Sequence, residues 1–303
     1  MRSLHAFADS LLTRLALRKV RQRYRLAFSP GHFYSPITDI AELDAQRATL
    51  WREPAQTPGI DYDDAGHERL LRDVFPPLLA EFDYPAHGGD EASLTMYHTG
   101  NSQFPTLDAK VLFAMLRHVR PRRMIEVGSG YSTLLVADVN RRFLGGSLEL
   151  TCIEPYPRAF LTQQPPGLLR ALRIEPVQQT PLDVFDTLQA GDVLFIDSSH
   201  VLKTGSDLTF LATRVLPRLA SGALVHMHDI FLPADYPPTW VLDENRAWNE
   251  QYLLQAMLAH SSRYRVVFGS NRACLQFPGL AATCFGLAPG TRYAGGSFWF
   301  QVR

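Results

Sequence analysis

The chain is short of cysteine. Cys152, Cys274 and Cys284 are the three among 303 residues, an odd number with no C-x-x-C pair and no zinc-ligand spacing. That excludes a disulfide framework and a zinc-ribbon module, and it fits reduced thiols in a reducing compartment. No asparagine opens an N-x-Ser/Thr sequon. No apolar run approaches the roughly 18 to 20 residues that span a bilayer, and the long apolar core of a secretory signal is missing from the N-terminus. A cytoplasmic protein is expected. Excess charge is absent as well: 30 Lys and Arg stand against 30 Asp and Glu. The overall balance therefore recruits neither nucleic acid nor an anionic surface, and chemistry on a small molecule is expected. At 46% hydrophobic and 20% charged residues, the composition is that of a folded globular chain with room for one large or two small domains.

What is present is concentrated first in residues 123–133, RMIEVGSGYST. Met124, Ile125 and Val127 supply the apolar run of a central parallel strand. Gly128 and Gly130 allow a sharp turn, and Tyr131 to Asn140 resumes at helical spacing. A ligand can approach bare backbone amides at such a turn. A dinucleotide would want G-x-G-x-x-G with no acid beside it, because its pyrophosphate sits on the helix N-terminus. Here the third glycine is Thr133, and Glu126 lies two residues before the first glycine, where a carboxylate repels phosphate and attracts a cation. S-adenosylmethionine, which carries a sulfonium and an ammonium and no phosphate, fits this turn.

The run from Glu126 to Thr133 resembles the first motif of class I S-adenosylmethionine-dependent methyltransferases. Its GSGYST form resembles a bacterial branch that includes macrolide-sugar O-methyltransferase-like proteins. The resemblance implies that Glu126, Gly128 and Gly130, with Ser129, Tyr131 and Ser132 of the same turn, hold the methionine end of the cofactor.

Ahead of this motif, residues 1–25 place Leu4, Phe7, Leu11, Leu12 and Leu15 on one helical face and crowd Arg14, Arg18, Lys19, Arg21, Arg23 and Arg25 toward the end. Such a basic amphipathic helix packs on its own domain or a dimer partner, or docks on a membrane surface. Residues 28–60 are rich in proline and turn formers around SPGHFYSP, so they read as loop, with His32 a structural histidine. Similar runs occur near the start of proteins in the branch named above, which implies a segment that folds over cofactor or substrate. A helical pattern from Asp61 to Tyr84 is interrupted by Pro76 and Pro77, and Gly88 and Gly89 make a turn. An accessory region is therefore expected over 1–94 and a cofactor-binding domain over 95–303. Tyr97, Asn101 and Phe104 lead into a helix from Leu107 to Val119. In the resembling family such a segment helps wall the cofactor pocket, and packing alone accounts for Tyr97 and Phe104 equally well.

Downstream, Leu148 to Ile153 reads as a second strand ending in Glu154, and an acid there is placed to hold a ribose diol. The resemblance gives Glu154 that role. A helix near Pro166 to Leu172 and a third strand near Ile174 to Val177 follow. Family members contact adenine in the loop that spans Gln178 to Asp183 here, so Asp183 is a candidate contact, or else the N-cap of a helix from Val184 to Leu188.

Gly191 to Asp197 reads as a fourth strand and opens the run Asp197-Ser198-Ser199-His200. A helix from Asp207 to Leu219 leads to a fifth strand, Ala223 to Met227, ending in His228-Asp229. Ligands bind beyond the carboxyl ends of parallel strands, so Asp197, His228 and Asp229 are expected to converge on the edge that carries Glu126. They form a candidate metal site facing the cofactor, with Asp197 counted among the cofactor contacts too. This resembles metal-dependent catechol-type and macrolide-sugar O-methyltransferases, whose oxygen ligands at the ends of these two strands hold a divalent cation. One departure stands out: a histidine replaces an oxygen ligand. Magnesium prefers an all-oxygen shell, whereas imidazole suits manganese, iron, zinc or nickel.

His200, three residues beyond Asp197, is the candidate general base, a side chain titrating near 7 that takes the proton of an acceptor hydroxyl. His226 shares a strand face with His228 and reads as a core histidine with a hydrogen-bond partner. A Pro- and aromatic-rich loop from Ile230 to Asp243 is placed to shape an acceptor pocket. A helix over Asn245 to His260, a sixth strand over Tyr264 to Phe268 and a closing strand over Ser297 to Val302 complete the pattern. Seven strands in this succession resemble the class I methyltransferase sheet, which implies a doubly wound, mostly parallel α/β fold with the last strand inserted antiparallel.

The leading expectation is an S-adenosylmethionine-dependent methyltransferase acting on a small-molecule or sugar hydroxyl with help from a divalent metal. A nicotinamide-dependent oxidoreductase and a non-catalytic cofactor-fold binding module are the alternatives; Glu126 and the missing third glycine argue against the first. Acceptor identity and any homo-oligomer are left open by the sequence. Deleting residues 1–25 is expected to leave methyl transfer intact; in a sedimentation assay with anionic vesicles, loss of binding by the truncated protein alone would show docking to be a separate property.

Overall fold

The computed structural model of the chain describes residues 18–20, 22–23, 27–29, 31–52, 55–163, 169–288 and 290–303. Most of the basic stretch over 1–25, including its apolar positions, lies outside them; residues 18–20 and 22–23 are helical.

The chain divides into two compact units. The smaller comprises the described parts of Met1–Glu53 together with Pro238–Ala247. Within it, residues 31–36 form turns on which the rings of Phe28, His32, Phe33 and Tyr34 stack in succession, and His32 Nδ1 accepts the Tyr34 amide at 3.2 Å. The structural reading of His32 agrees with this geometry, but the loop expected over 28–60 holds only in part, because helices form at Ile40–Ala45 and Arg47–Leu50. A short helix, Ile40–Ala45, follows, capped by the Asp39 carboxylate, which accepts the Ala41 amide at 2.9 Å.

The larger unit, Pro54–Pro237 with Trp248–Arg303, is built on a seven-stranded sheet. Its strands are β1 (Arg123–Val127), β2 (Glu149–Ile153), β3 (Ala171–Arg173), β4 (Val193–Ile196), β5 (Leu224–Met227), β6 (Tyr264–Gly269) and β7 (Phe298–Val302), in the order β3-β2-β1-β4-β5-β7-β6. β1 to β5 run parallel, and β7 is antiparallel to both β5 and β6. The helices that matter to the site are α1 (Thr106–Val119), α2 (Tyr131–Phe143) and α3 (Glu250–Leu258). This is the doubly wound, mostly parallel α/β sheet expected from the sequence.

Successive residues of a strand face opposite sides of a sheet, and the strands sort accordingly. Met124, Leu150, Cys152, Val193, Phe195 and Leu224 join the core that includes α1 and α2. Ile125, Val127, Ile153, Leu194, Ile196 and Val225 join a second core on the other face. On the first face, Cys152, Glu126, Phe195, His226 and Trp299 are register partners in a row across four parallel strands and β7. His226 is stacked between Phe195 at 4.2 Å and Trp299 at 4.3 Å. It is a core histidine as expected, but neither ring nitrogen has a hydrogen-bond partner among the described residues. Its partners are ring faces, and burial drives its pKa well below the usual histidine value.

Several boundaries differ from the sequence reading for local reasons. The third strand is Ala171–Arg173, not Ile174–Val177, because Pro176 cannot donate to a ladder; Val177 instead opens a turn, Val177–Gln179. The helix expected near Pro166 falls partly outside the described residues, and a short helix at Ala159–Thr162 precedes the strand. Asp183 lies in the first turn of Leu182–Asp186 with Pro181 in the capping position, so it caps nothing. The helix expected from Asn245 begins at Glu250, since Asn245 has φ +55° and the Asn249 amide is given to the His200 carbonyl. The boundary expected near residue 94 falls inside the larger unit, because Leu70, Leu71, Phe75, Tyr84 and Leu94 are core residues packed with α1. No helix among the described residues is long and apolar enough to cross a membrane.

The turn after β1 sets the tightest contact in the sheet. Gly128 has φ +86°, and a Cβ there would stand 1.7 Å from the Asp197 carbonyl oxygen. Gly128→Ala is therefore expected to lose roughly 3 kcal/mol or more by urea denaturation, from left-handed backbone strain plus the clash. Gly130→Ala, where a Cβ meets no atom within 4 Å, should lose far less.

Candidate active site

A cavity of about 480 Å³ opens at the carboxyl ends of the central strands. Its floor is Val127 and Gly128 from β1, Ile153 and Glu154 from β2, and Asp197 to Ser199 after β4. Pro176 to Gln178 and Lys203 with Gly205 to Asp207 complete the lining, and Gln178 Nε2 donates to the Gly205 carbonyl at 2.9 Å to join the two stretches. Glu154 is locked in place: Oε2 accepts the Ser129 amide at 3.2 Å and Oε1 the Tyr156 amide at 2.8 Å. The Ser199 loop is held by Asp207, which accepts the Ser199 amide at 2.8 Å and its hydroxyl at 2.6 Å.

Of the residues that the sequence pointed to as cofactor contacts, Gly128, Glu154 and Asp197 line this cavity. Glu126 does not. Its position on the α2 face buries it completely, and its carboxylate accepts Ser132 Oγ at 2.6 Å and Thr133 Oγ1 at 2.7 Å. The acid expected to face a cation instead pins the first turn of α2 to the sheet, and Ser132 is spent on that contact. Tyr131 packs on Phe160 and beneath Arg158. Asp183 is exposed and stands away from the residues that line the cavity. The wall residues Lys203 and Gly205 to Asp207 were not foreseen; their signal was a Gly-Ser-Asp run after β4, with Ser206 accepting the Thr209 amide as a helix cap.

Beside the cavity, and joined to it through Asp197, lies a cluster of acids and histidines. Asp197 Oδ1 is 3.4 Å from His200 Nε2 and 3.5 Å from His228 Nδ1. Asp229 Oδ2 is 3.7 Å from His200 Nε2, and its Oδ1 is 3.5 Å from His228 Nδ1. Asp197, His200 and Asp229 each offer a ligand atom within 4.8 Å of the other two. The expected metal set named His228; the grouping that emerges contains His200 in its place. His228 sits deeper, 1% exposed, with Nε2 3.2 Å from Asp108 Oδ2. Asp108 comes from α1 and is fixed by the Gly296 and Ser297 amides at 3.2 and 2.8 Å.

His200 also has a partner that sequence reading missed. Its Nδ1 lies 2.7 Å from Oε2 of Glu250, a fully buried carboxylate in the first turn of α3. The signal was there to read: Glu250 shares the buried helix face with Leu254 and Leu258 at four-residue spacing, where a carboxylate is out of place. Both His200 and Asp229 have φ +59°, a left-handed backbone that non-glycine residues seldom adopt and that clusters at functional sites.

Burial would lower His200, but Asp197 and Glu250 outweigh it and lift the imidazole to about 10. The expected base titrating near 7 is therefore a charged donor at neutral pH when no cation occupies the cluster. Burial would raise Asp197, yet the two imidazoles hold it below the carboxylate range, while burial keeps Asp229 and Glu250 raised.

Glu126 is pushed up to about 7, mainly by burial. The folded state then binds a proton that the unfolded chain releases above about pH 4.5, so stability falls as pH rises from there to about 7. The stability of the native protein relative to Glu126→Gln should drop by roughly 1 to 3 kcal/mol between pH 4.5 and 7.5, measured by urea denaturation at each pH.

One comparison with known proteins falls on this same region. Residues 125–230 match a family model described as a methyltransferase domain. A 167-residue stretch, 54% of the chain, is 35% identical to an uncharacterized protein of Archaeoglobus fulgidus and covers 74% of it. Among solved structures, a methyltransferase of Geobacter sulfurreducens aligns over 88% of this chain and all of its own, at 15% identity and TM-score 0.36. A provisionally assigned O-methyltransferase of Klebsiella pneumoniae aligns over 87% of this chain and 96% of its own, at 16% identity and TM-score 0.38. Residues 125–230 therefore carry a methyltransferase domain, consistent with the class I S-adenosylmethionine-dependent methyltransferases that the glycine turn resembles.

Proposed function

We propose that this methyltransferase transfers the methyl group to the hydroxyl of a small molecule or sugar, with a divalent cation held by Asp197, His200 and Asp229. The observation that carries the reading is the double position of Asp197, which lines the cofactor cavity and also belongs to the acid–histidine cluster. Methyl donor and acceptor oxygen can then meet across one side chain.

The residues divide the work. Gly128 lines the cavity where the methionine end would lie, and Glu154, immobilised by two amides, presents its carboxylate to the ribose hydroxyls. Pro176 to Gln178 lie where a purine ring would pack. The acceptor hydroxyl is placed beside Asp197 in line with the methyl–sulfur bond. Its oxygen attacks the methyl carbon as that bond breaks, leaving the neutral thioether of S-adenosylhomocysteine. Orientation in a site shielded from water supplies much of the rate gain.

The donor set supports a cation on charge. Asp108, Asp197, Asp229 and Glu250 are four carboxylates against the two imidazoles of His200 and His228, so even with both histidines charged the cluster is two negative charges in excess. A bound divalent cation would supply the positive charge that lowers the pKa of the acceptor hydroxyl and orients it. With Asp197 and Asp229 engaged by the cation and Glu250 by His200 Nδ1, the acidified hydroxyl gives up its proton to water before the methyl group arrives. The methyltransferase-domain match over residues 125–230 weighs against the oxidoreductase alternative.

Two measurements test the reading. S-adenosylmethionine at about 100 times its dissociation constant should add about 2.7 kcal/mol and raise the melting midpoint by a few degrees, whereas NAD should not. Asp229→Asn, which leaves the cavity lining untouched, should keep that shift while cutting chelator-sensitive transfer to hydroxyl acceptors at least 100-fold. Full transfer by Asp229→Asn would overturn the role of the cluster.

A further inference from the structure

Resting on the metal-assisted reading above, we propose that Glu250 turns His200 into a nitrogen ligand, so that the cluster selects a divalent transition metal such as manganese, iron, cobalt or zinc over magnesium.

A neutral imidazole carries one N–H and one lone pair, and the hydrogen bond at one nitrogen decides which lone pair is free. The Glu250 carboxylate, 2.7 Å from Nδ1, accepts the Nδ1 proton and leaves the Nε2 lone pair directed at Asp197 and Asp229. Carboxylate, histidine and metal in line is the arrangement by which proteins orient an imidazole ligand and raise its basicity. The distances suit it. Nε2 is 3.4 Å from Asp197 Oδ1 and 3.7 Å from Asp229 Oδ2. Ligand atoms around one ion with bonds of about 2.1 Å stand roughly 3.0 to 3.5 Å apart, and the three ligand atoms, all within 4.8 Å of one another, would draw together on a common centre.

Two further observations point to a ligand rather than to a self-satisfied acid cluster. His228, 1% exposed, pairs its Nε2 with Asp108 Oδ2 at 3.2 Å, while its Nδ1 faces both aspartates at 3.5 Å from each without a hydrogen bond to either. Glu250 is wholly buried behind His200 with Oε1 unpartnered, a costly placement for a carboxylate with no orienting task. An imidazole among the ligands disfavours magnesium, which prefers an all-oxygen shell, and suits borderline transition metals.

The test is metal binding to the full chain without turnover. Titration calorimetry should show manganese and cobalt binding at least 10-fold more tightly than magnesium. Glu250→Ala should weaken cobalt and manganese 10- to 100-fold while changing magnesium little. Glu250→Gln, whose amide oxygen still accepts the Nδ1 proton, should recover part of that loss. Pulsed electron paramagnetic resonance of the manganese form should show coupling to an imidazole nitrogen, absent in His200→Gln. Manganese that binds without nitrogen coupling, or with coupling that persists in His200→Gln, would overturn the proposal and leave a metal-assisted reaction standing. Binding of no divalent ion, with chelator-insensitive transfer, would instead sink the metal-assisted reading itself.

Discussion

The contact between the Gly128 backbone and the Asp197 carbonyl governs the geometry of the whole carboxyl edge. The turn after β1 comes so close to the end of β4 that no side chain fits between them. The Asp197 amide is bonded to the Val127 carbonyl at 2.9 Å, so the two strand ends are tied as well as touching. From that point the chain opens in two directions. One leads along Glu154 and the Pro176 loop into the cavity, and the other through the Asp197 carboxylate into the acid–histidine cluster. A shift of either strand end would move both.

Charge is distributed about this edge by depth. Glu126, on the α2 side, has its carboxylate taken up by two hydroxyls, so it organises the first turn of α2 rather than meeting solvent. His226, one strand beyond Phe195 in the same row, survives as a neutral ring between two aromatic faces. Only beyond His228 does the row of strands give way to groups that must carry charge, and there carboxylates from α1, β4, β5 and α3 surround two imidazoles. Such a cluster is unstable to the removal of any one charge, because each remaining group is held in a medium that solvates it poorly. That is why Asp108 and Glu250, far from the cavity in sequence, are as much part of the site as the residues that line it.

The left-handed backbones at His200 and Asp229 fit the same picture. His200 lies in the loop four residues past the end of β4 and Asp229 two residues past the end of β5, and their side chains approach to 3.7 Å. Gly296 permits this on the β5 side, since a Cβ there would stand 2.7 Å from the Asp229 Cα. A backbone that is unfavourable residue by residue is kept because packing from β7 and α3 leaves no alternative.

The sequence by itself determined the sheet, its central strand, the glycine turn and the acid-tipped ends of β2, β4 and β5. These follow from local rules, namely apolar runs, glycine at a left-handed turn and polar residues where buried strands end. Tertiary structure decided which way each side chain points and what it meets. Glu126 reads as a cofactor contact until the pleat sends it under α2, and His200 reads as a base until Glu250, 50 residues on, is found behind it. Spacing along the chain is silent on such partners, because a carboxylate's role depends on whether hydroxyls, imidazoles or water complete its surroundings, and only packing brings those together.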